Sequence, residues 1–312
     1  MNKFVSKSTY IFSIILFTII FIASFIFDSN VYYSQNKFIS LIVCIILLFL
    51  WILILQIINK FVKERVSIKM HCAILIVYFI IVTLIQLFVL KNLMVDPGWD
   101  YNVVFENAKY FIEHGQRYDA VYPEYFELFP NNILIFYMFT KMIALGNILN
   151  ISAFNIVIIF NIILIDIALL MLYLTLNKKF NTKIAVFGLI ISLFFLPLYL
   201  YTPIFYSDTF SLFVAISFVY LYLNINKDNI LCKKNILLFI LMGLLLFYGK
   251  EIKISSIFIF IAILIDYLIN TKGIKKILNV AITISIFIIC SLVFKVAVVN
   301  NQKYNFEMIG YG

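Results

Sequence analysis

Apolar stretches of membrane length, broken by short polar connections, recur along almost the whole chain. They fall at 9–27, 38–58, 72–90, 131–149, 154–176, 184–200, 209–225, 235–249, 254–270 and 277–294. About 20 apolar residues in a helix cross the hydrocarbon core of a bilayer. These runs are apolar all round, not along one stripe, which is the pattern of helices surrounded by lipid or by other helices. The pattern predicts an all-α, polytopic helical membrane protein of nine or ten apolar segments. The first run lacks a small-residue cleavage site, so it is expected to stay as a helix. Neither a repeat nor a low-complexity linker divides the chain. It reads as one membrane domain, 1–312: two extra N-terminal spans in 1–70, a module in 71–270 with a loop at 91–130, and a last span and polar tail in 271–312.

Composition agrees, since 64% of residues are hydrophobic and 12% charged, a balance that rules out a soluble core. The net charge of +9 then points to membrane sidedness and not to nucleic acid, because basic residues collect in cytoplasmic loops. Five clusters hold fifteen of the 24 basic residues: Lys3/Lys7, Lys60/Lys63/Arg65/Lys69, Lys178/Lys179/Lys183, Lys227/Lys233/Lys234 and Lys272/Lys275/Lys276. With these inside, 91–130, 201–208, 250–253 and 295–312 face outward in a multi-pass plasma-membrane protein. Two apolar segments lie between Pro130 and Lys178, where the charge rule allows an odd number of crossings. The stretch 131–151, which contains Asn131, Asn132, Lys141 and Gly146, is therefore expected to be re-entrant. Polar backbone is tolerated at that depth where it lines a protein cavity.

The loop at 91–130 holds seven of the fifteen acidic residues: Asp96, Asp100, Glu106, Glu113, Asp119, Glu124 and Glu127. A greasy, basic protein with one carboxylate-rich loop is expected to hold its chemistry there. Asp96-Pro97 has the form of a helix start, a capping acid followed by proline at the first position. A helix from there to Gly115 would put Asp96 and Asp100 on one face. The plain alternatives are a cap for Asp96 and a first-turn acid favoured by the helix dipole for Asp100. Arg117, one of two arginines, precedes Tyr118, Tyr122, Tyr125 and Phe126. It would grip a phosphate or a sugar ring, or the aromatics form an interfacial belt. Glu127, Asn131 and Asn132 stand where the chain re-enters the membrane.

Two further outward segments carry chemistry. In Pro203–Thr209, Tyr206 and Asp208 stand at the mouth of a span, where Asp208 would cap a helix worth about 1 kcal/mol or line a pocket. In Gly249–Ser255, Lys250 and Lys253 are rare basic residues on an acidic face. Lys253 would snorkel or bind a lipid-linked phosphate. Within the spans, Asp166 and Asn161 are candidates for a polar path, while Asp266 lies near a cytoplasmic end. Cys44, Cys72, Cys232 and Cys290 lack metal or CxxC spacing and read as small hydrophobes. His71 and His114 are too far apart for a metal cluster. Neither metal nor cofactor is expected.

At these segments the chain resembles the multi-membrane-spanning glycosyltransferases of the GT-C fold, in particular the bacterial protein-mannosyltransferase-like group (glycosyltransferase family 39). The resemblance rests on DPGWDYNVVFENA (96–108), YFELFPNN (125–132), YSDT (206–209) and GKEIKIS (249–255), where Ser255 replaces a threonine, and covers about residues 70–270. It implies transfer of a sugar from a polyprenyl-phosphate donor to a cell-envelope glycopolymer, glycolipid or protein on the outer face. In that scheme Asp100 is the general base, Asp96 a second carboxylate, Asp208 a pocket acid, and Lys253, Lys250 or Arg117 a counter-charge for the leaving phosphate. Glu127, Asn131 and Tyr206 would line the substrate pocket. Two departures from the family layout stand out. The two spans of 1–70 precede the one that leads into the loop, where the simplest family layout has one, and further C-terminal spans are missing, as expected of a fragment or an inactive remnant. The competing expectations are a transporter or flippase for lipid-linked saccharides, with Asp166 on its path, and a non-catalytic membrane partner.

Overall fold

The computed structural model describes residues 11–19, 37–94, 98–115, 125–226, 231–271 and 276–299, with single positions 7, 22, 229, 273 and 274. Every regular element among them is helical. Six helices are long and apolar enough to cross a membrane: Leu41–Phe61, Ile68–Asn92, Pro130–Leu149, Ala153–Lys179, Lys233–Ile252 and Lys276–Val298. Three apolar helices, Thr182–Leu193, Ser207–Leu223 and Ser256–Asn270, are shorter. The chain divides into two compact units, Met1–Phe61 and Val62–Gly312. The first holds α1 (Lys37–Phe61), which ends with Lys60 in its last turn, where a cation complements the helix dipole. Of the expected 9–27 span, residues 11–19 and 22 are described and helical, and the remainder falls outside the described residues.

The second unit runs α2 (Ile68–Asn92), α3 (Trp99–His114), a short α4 (Tyr125–Leu128), α5 (Ile133–Leu149), α6 (Ala153–Lys179), α7 (Thr182–Leu193), α8 (Leu196–Leu200), α9 (Ser207–Leu223), α10 (Lys233–Ile252), α11 (Ser256–Asn270) and α12 (Lys276–Phe294). Side-chain contacts fix their directions. Near the start of α2, His71 bonds Tyr173 of α6 (2.6 Å), and further along Gln86 donates to Asp166 (2.9 Å). The Thr182 amide, just past α6, bonds the Glu64 carbonyl just before α2 (3.0 Å). So α2 and α6 are antiparallel, and the clusters around Lys63 and Lys178 share one end, the basic end.

Asn161 of α6 donates to the Tyr201 and Thr202 carbonyls (2.7 and 2.8 Å), so α7 and α8 together return the chain to the opposite, acidic end. They form a broken helix over the single run 184–200 because Pro197 lies in the first turn of α8 and disfavours helix at the residue before it. Tyr78, Ser192 and Tyr199 close the break: Tyr78 Oη lies 2.6 Å from Ser192 Oγ, and Tyr199 donates to the Ser192 carbonyl at 3.1 Å. Next, α9 runs beside α6 toward the basic end. Ser217 touches Met171 (3.0 Å), and Lys178 donates to Asn224 (2.6 Å).

From the basic end, where Asn235 holds the Asn226 backbone (2.8 and 2.7 Å), α10 climbs to Lys253 beside Asp208. Then α11 descends until Asp266 meets Tyr222 of α9. Finally α12 climbs along α10, with Thr283 bonded to the Phe239 carbonyl (2.9 Å) and Phe294 packed on Phe247 (5.7 Å).

Segment 93–152 therefore begins and ends at the acidic end. It contains α3 and α5. The apolar face of α3, Tyr101, Val104, Phe105, Ala108 and Phe111, is buried. It packs on α5 through Tyr101–Phe139 (5.8 Å) and Phe111–Phe136 (5.7 Å). In turn α5 meets the connection before α9 through Phe139–Phe205 (5.7 Å). Length and composition alone would let α5 cross a membrane. Both of its flanks nevertheless lie at the acidic end, Asn132 beside Tyr125 and Gly146 against Ile156.

Candidate functional site at the acidic end

Four segments meet at this end: the start of α3, α4 with the turn Pro130–Asn132, the start of α9, and the α10–α11 connection. Asp100 lies in the first turn of α3. The Tyr125 phenol lies near enough to Asp100 and Tyr206 to feel both electrostatically. Asn132, 1% exposed, donates to Tyr125 Oη at 2.7 Å, and Asn131 donates to Asn132 Oδ1 at 3.1 Å. Tyr206 feels the charges of both Asp100 and Asp208, and Asp208 forms an ion pair with Lys253. The sequence thus runs Asp100, Tyr125, Tyr206, Asp208, Lys253.

Burial first, then the Tyr206 bond and the Asp100 charge, push the Tyr125 phenol far above its ordinary range. Burial also raises the Tyr206 phenol, and the Asp100 charge adds to the effect. Both phenols stay protonated near neutral pH and serve as donors. The Asp208–Lys253 pair is half-exposed, with side-chain exposures of 50% and 40%. Such a pair adds little to stability, so its placement matters more for what it offers a ligand.

Several expectations change. The helix starts at Trp99, not at Asp96-Pro97: Gly98 is its N-cap and lies extended. Trp99 has φ +54, a left-handed value that does not continue a right-handed helix. Asp96 itself, with Arg117, Tyr118 and Tyr122, lies outside the described residues. Asp208 does not cap α9. Tyr206 is the N-cap, no side chain caps the helix, and the Asp208 carboxylate goes to Lys253. Lys250 is paired with its neighbour Glu251 (2.7 Å), as Lys253 is with Asp208. Glu127 is half-buried in α4, one turn from Asn131.

The sequence underrates Tyr125, Asn132 and Trp99. Tyr125 reads as one belt aromatic among several, yet it joins Asp100 to Tyr206. Trp99 is 97% exposed beside Asp100, an indole held in a backbone conformation that costs a bulky residue energy. Such strain collects at ligand-binding positions.

Apolar space adjoins the cluster. A cavity of about 460 Å³ opens between α5, α6, α9 and α10, with Phe210, Phe213 and Tyr248 in its wall. Phe210 is two residues from Asp208. Groups of three metal-ligating side chains are absent among the described residues.

An apolar helix bundle with a polar cluster at one end defines an integral membrane protein. The chain belongs to the family of conserved hypothetical integral membrane proteins, whose family pattern matches residues 2–308. No curated protein and no solved structure matches it.

Proposed function

We propose that this protein transfers a sugar from a polyprenyl-phosphate donor to a cell-envelope acceptor at the outer face of the plasma membrane, as a GT-C-like enzyme. The observation that carries this reading is the meeting of Asp100, Asp208 and Lys253 at the acidic end, beside an apolar cavity. An amphiphile with an anionic, sugar-bearing head suits that junction. The positive-inside rule puts the basic end in the cytoplasm, and so puts the cluster outside. Seven transits then cross the bilayer in the second unit, with α3 and α5 as outer-face helices. About 25 Å of helix rise separates Asn161 from Lys178, close to the roughly 30 Å core of a bilayer.

In this scheme the acceptor hydroxyl attacks the anomeric carbon. The bond from that carbon to the phosphate oxygen breaks, and the phosphate leaves with the electron pair. Asp100 takes the acceptor proton as general base. Tyr125, a neutral donor beside it, holds the carboxylate in place. Lys253 meets the charge growing on the leaving phosphate, which requires the donor to compete with Asp208 for it. Trp99 offers an exposed ring for a sugar face.

The flippase reading draws less support. Asp166, the carboxylate on its path, is paired with the Gln86 amide and not with a base. Such a pair also serves as ordinary interhelical adhesion.

The test is transfer by the purified protein from a radiolabelled polyprenyl-phosphate sugar. Asp100→Asn keeps size and removes the base, so transfer falls roughly 10²–10⁴-fold while donor binding changes little. Wild-type-like transfer by Asp100→Asn removes Asp100 from the mechanism. Absence of transfer by the wild type across lipid-phosphate sugars favours a non-catalytic partner.

A further inference from the structure

A second and larger cavity, about 580 Å³, opens between α5, α10 and α12. Leu134, Leu145, Phe247, Val293 and Val298 contribute to its wall, and Lys141 is the one charged residue in its lining. The Lys141 ammonium lies over the Tyr137 ring at 5.2 Å from the centroid and has no carboxylate partner among the described residues. Lys141 is exposed, so its ammonium is open to an anionic group of a ligand whose chain follows the apolar wall. Within the first cluster Lys253 and Lys250 are answered by Asp208 and Glu251. Lys141 is not.

Position adds to chemistry. Both flanks of α5 lie at the acidic end, and Lys141 stands two residues from Phe139, which packs on Phe205 in the connection before α9. The part of the wall from Ile289 in α12 to Val298 in the π-helical turn after it extends about 13 Å along the chain axis toward the basic end, a path suited to an acyl chain. Lys141 is also nine residues from Asn132, again about 13 Å along α5. A phosphate held there does not coincide with one held at Lys253.

We infer that this groove is a binding site for an anionic phospholipid, with its phosphate on Lys141 and a chain along α12, separate from the Asp100 cluster. The charge-assisted contact gives the head, and the apolar wall excludes a hydrophilic anion. Tyr137 stacks against the same ammonium and keeps it at the mouth of the groove.

Native mass spectrometry of the full chain in neutral detergent tests this with dioleoyl phosphatidylglycerol, dioleoyl phosphatidylcholine and dioleoylglycerol. The wild type binds phosphatidylglycerol in preference to the other two. Lys141→Gln weakens phosphatidylglycerol about tenfold, the order expected for a single charge-assisted contact, and leaves the other two unchanged. Lys141→Arg retains the preference, and Leu145→Trp, which fills the groove, reduces lipid binding generally. Asp100→Asn has no effect on any of them. Equal binding of phosphatidylglycerol and dioleoylglycerol by the wild type overturns the inference, and needs no variant to fold. Phosphatidylglycerol binding unaltered in both Lys141→Gln and Leu145→Trp also overturns it. So does displacement of the lipid by inorganic phosphate at matched concentration, which would make the anion alone the ligand.

Discussion

Tyr125 links more of the site than any other side chain. It accepts from buried Asn132 and feels both Asp100 and Tyr206 electrostatically. Removing its hydroxyl leaves the Asn132 amide donor without its acceptor in a buried place, which costs about 1–3 kcal/mol. Tyr125→Phe should therefore lower the melting temperature in detergent and also reduce transfer, because Asp100 loses the donor that orients it. An unchanged melting temperature would show that Asn132 finds another acceptor. Asp208→Asn should behave differently. The pair with Lys253 is half-exposed, so stability should shift by no more than about 1 kcal/mol. Freed from its partner, Lys253 should bind the phosphate of a polyprenyl-phosphate donor more tightly, while Lys253→Ala binds it less. Donor titrations of the two variants check this, and equal effects of the same sign would separate Lys253 from phosphate binding.

Among elements, the crossing of α9, α10 and α11 sets the geometry around Lys253. An added Cβ on Gly249 would stand 2.9 Å from Ser256 Cβ and 3.0 Å from Val214 Cγ1. Ser256 Cβ is one bond from the backbone, so it yields little. Gly249→Ala should push α11 away from α10 at a cost of about 1–3 kcal/mol, the usual penalty for overpacking. Thermal unfolding in detergent gives the number, and a neutral result would mean that the α10–α11 connection slackens without loss. Here the glycine is what allows Lys253 to face Asp208 at all. The broken helix α7–α8 has a matching logic: Pro197 interrupts it, and Tyr78 and Tyr199 satisfy Ser192 at the break.

At the scale of the second unit, helix directions follow from a few polar and aromatic contacts, and α3 packs on α5 with both flanks of α5 at the acidic end. Cysteine accessibility in cells measures sidedness. Phe180→Cys, in the connection between α6 and α7, should resist an impermeant thiol reagent in intact cells, and Asn131→Cys, exposed beside the cluster, should react. Labelling of both from the same side would break the antiparallel arrangement of α2 and α6.

The sequence by itself determined that this is an apolar, all-helical membrane protein. It also determined where its charge collects, since hydrophobic length and basic loops act locally and need no partner. It singled out Asp100, Asp208 and Lys253 because polar residues are rare in such a chain. Only the tertiary structure decided that Asp208 meets Lys253 and does not cap a helix. It alone decided that α3 starts at Trp99, that Asn132 bonds Tyr125 beside the carboxylates, and that both flanks of α5 lie at the same end. Those outcomes depend on contacts between residues far apart in the chain, such as Phe139 with Phe205 and Gln86 with Asp166. A pattern of apolar and polar positions records how much surface each helix buries, but not which neighbour buries it.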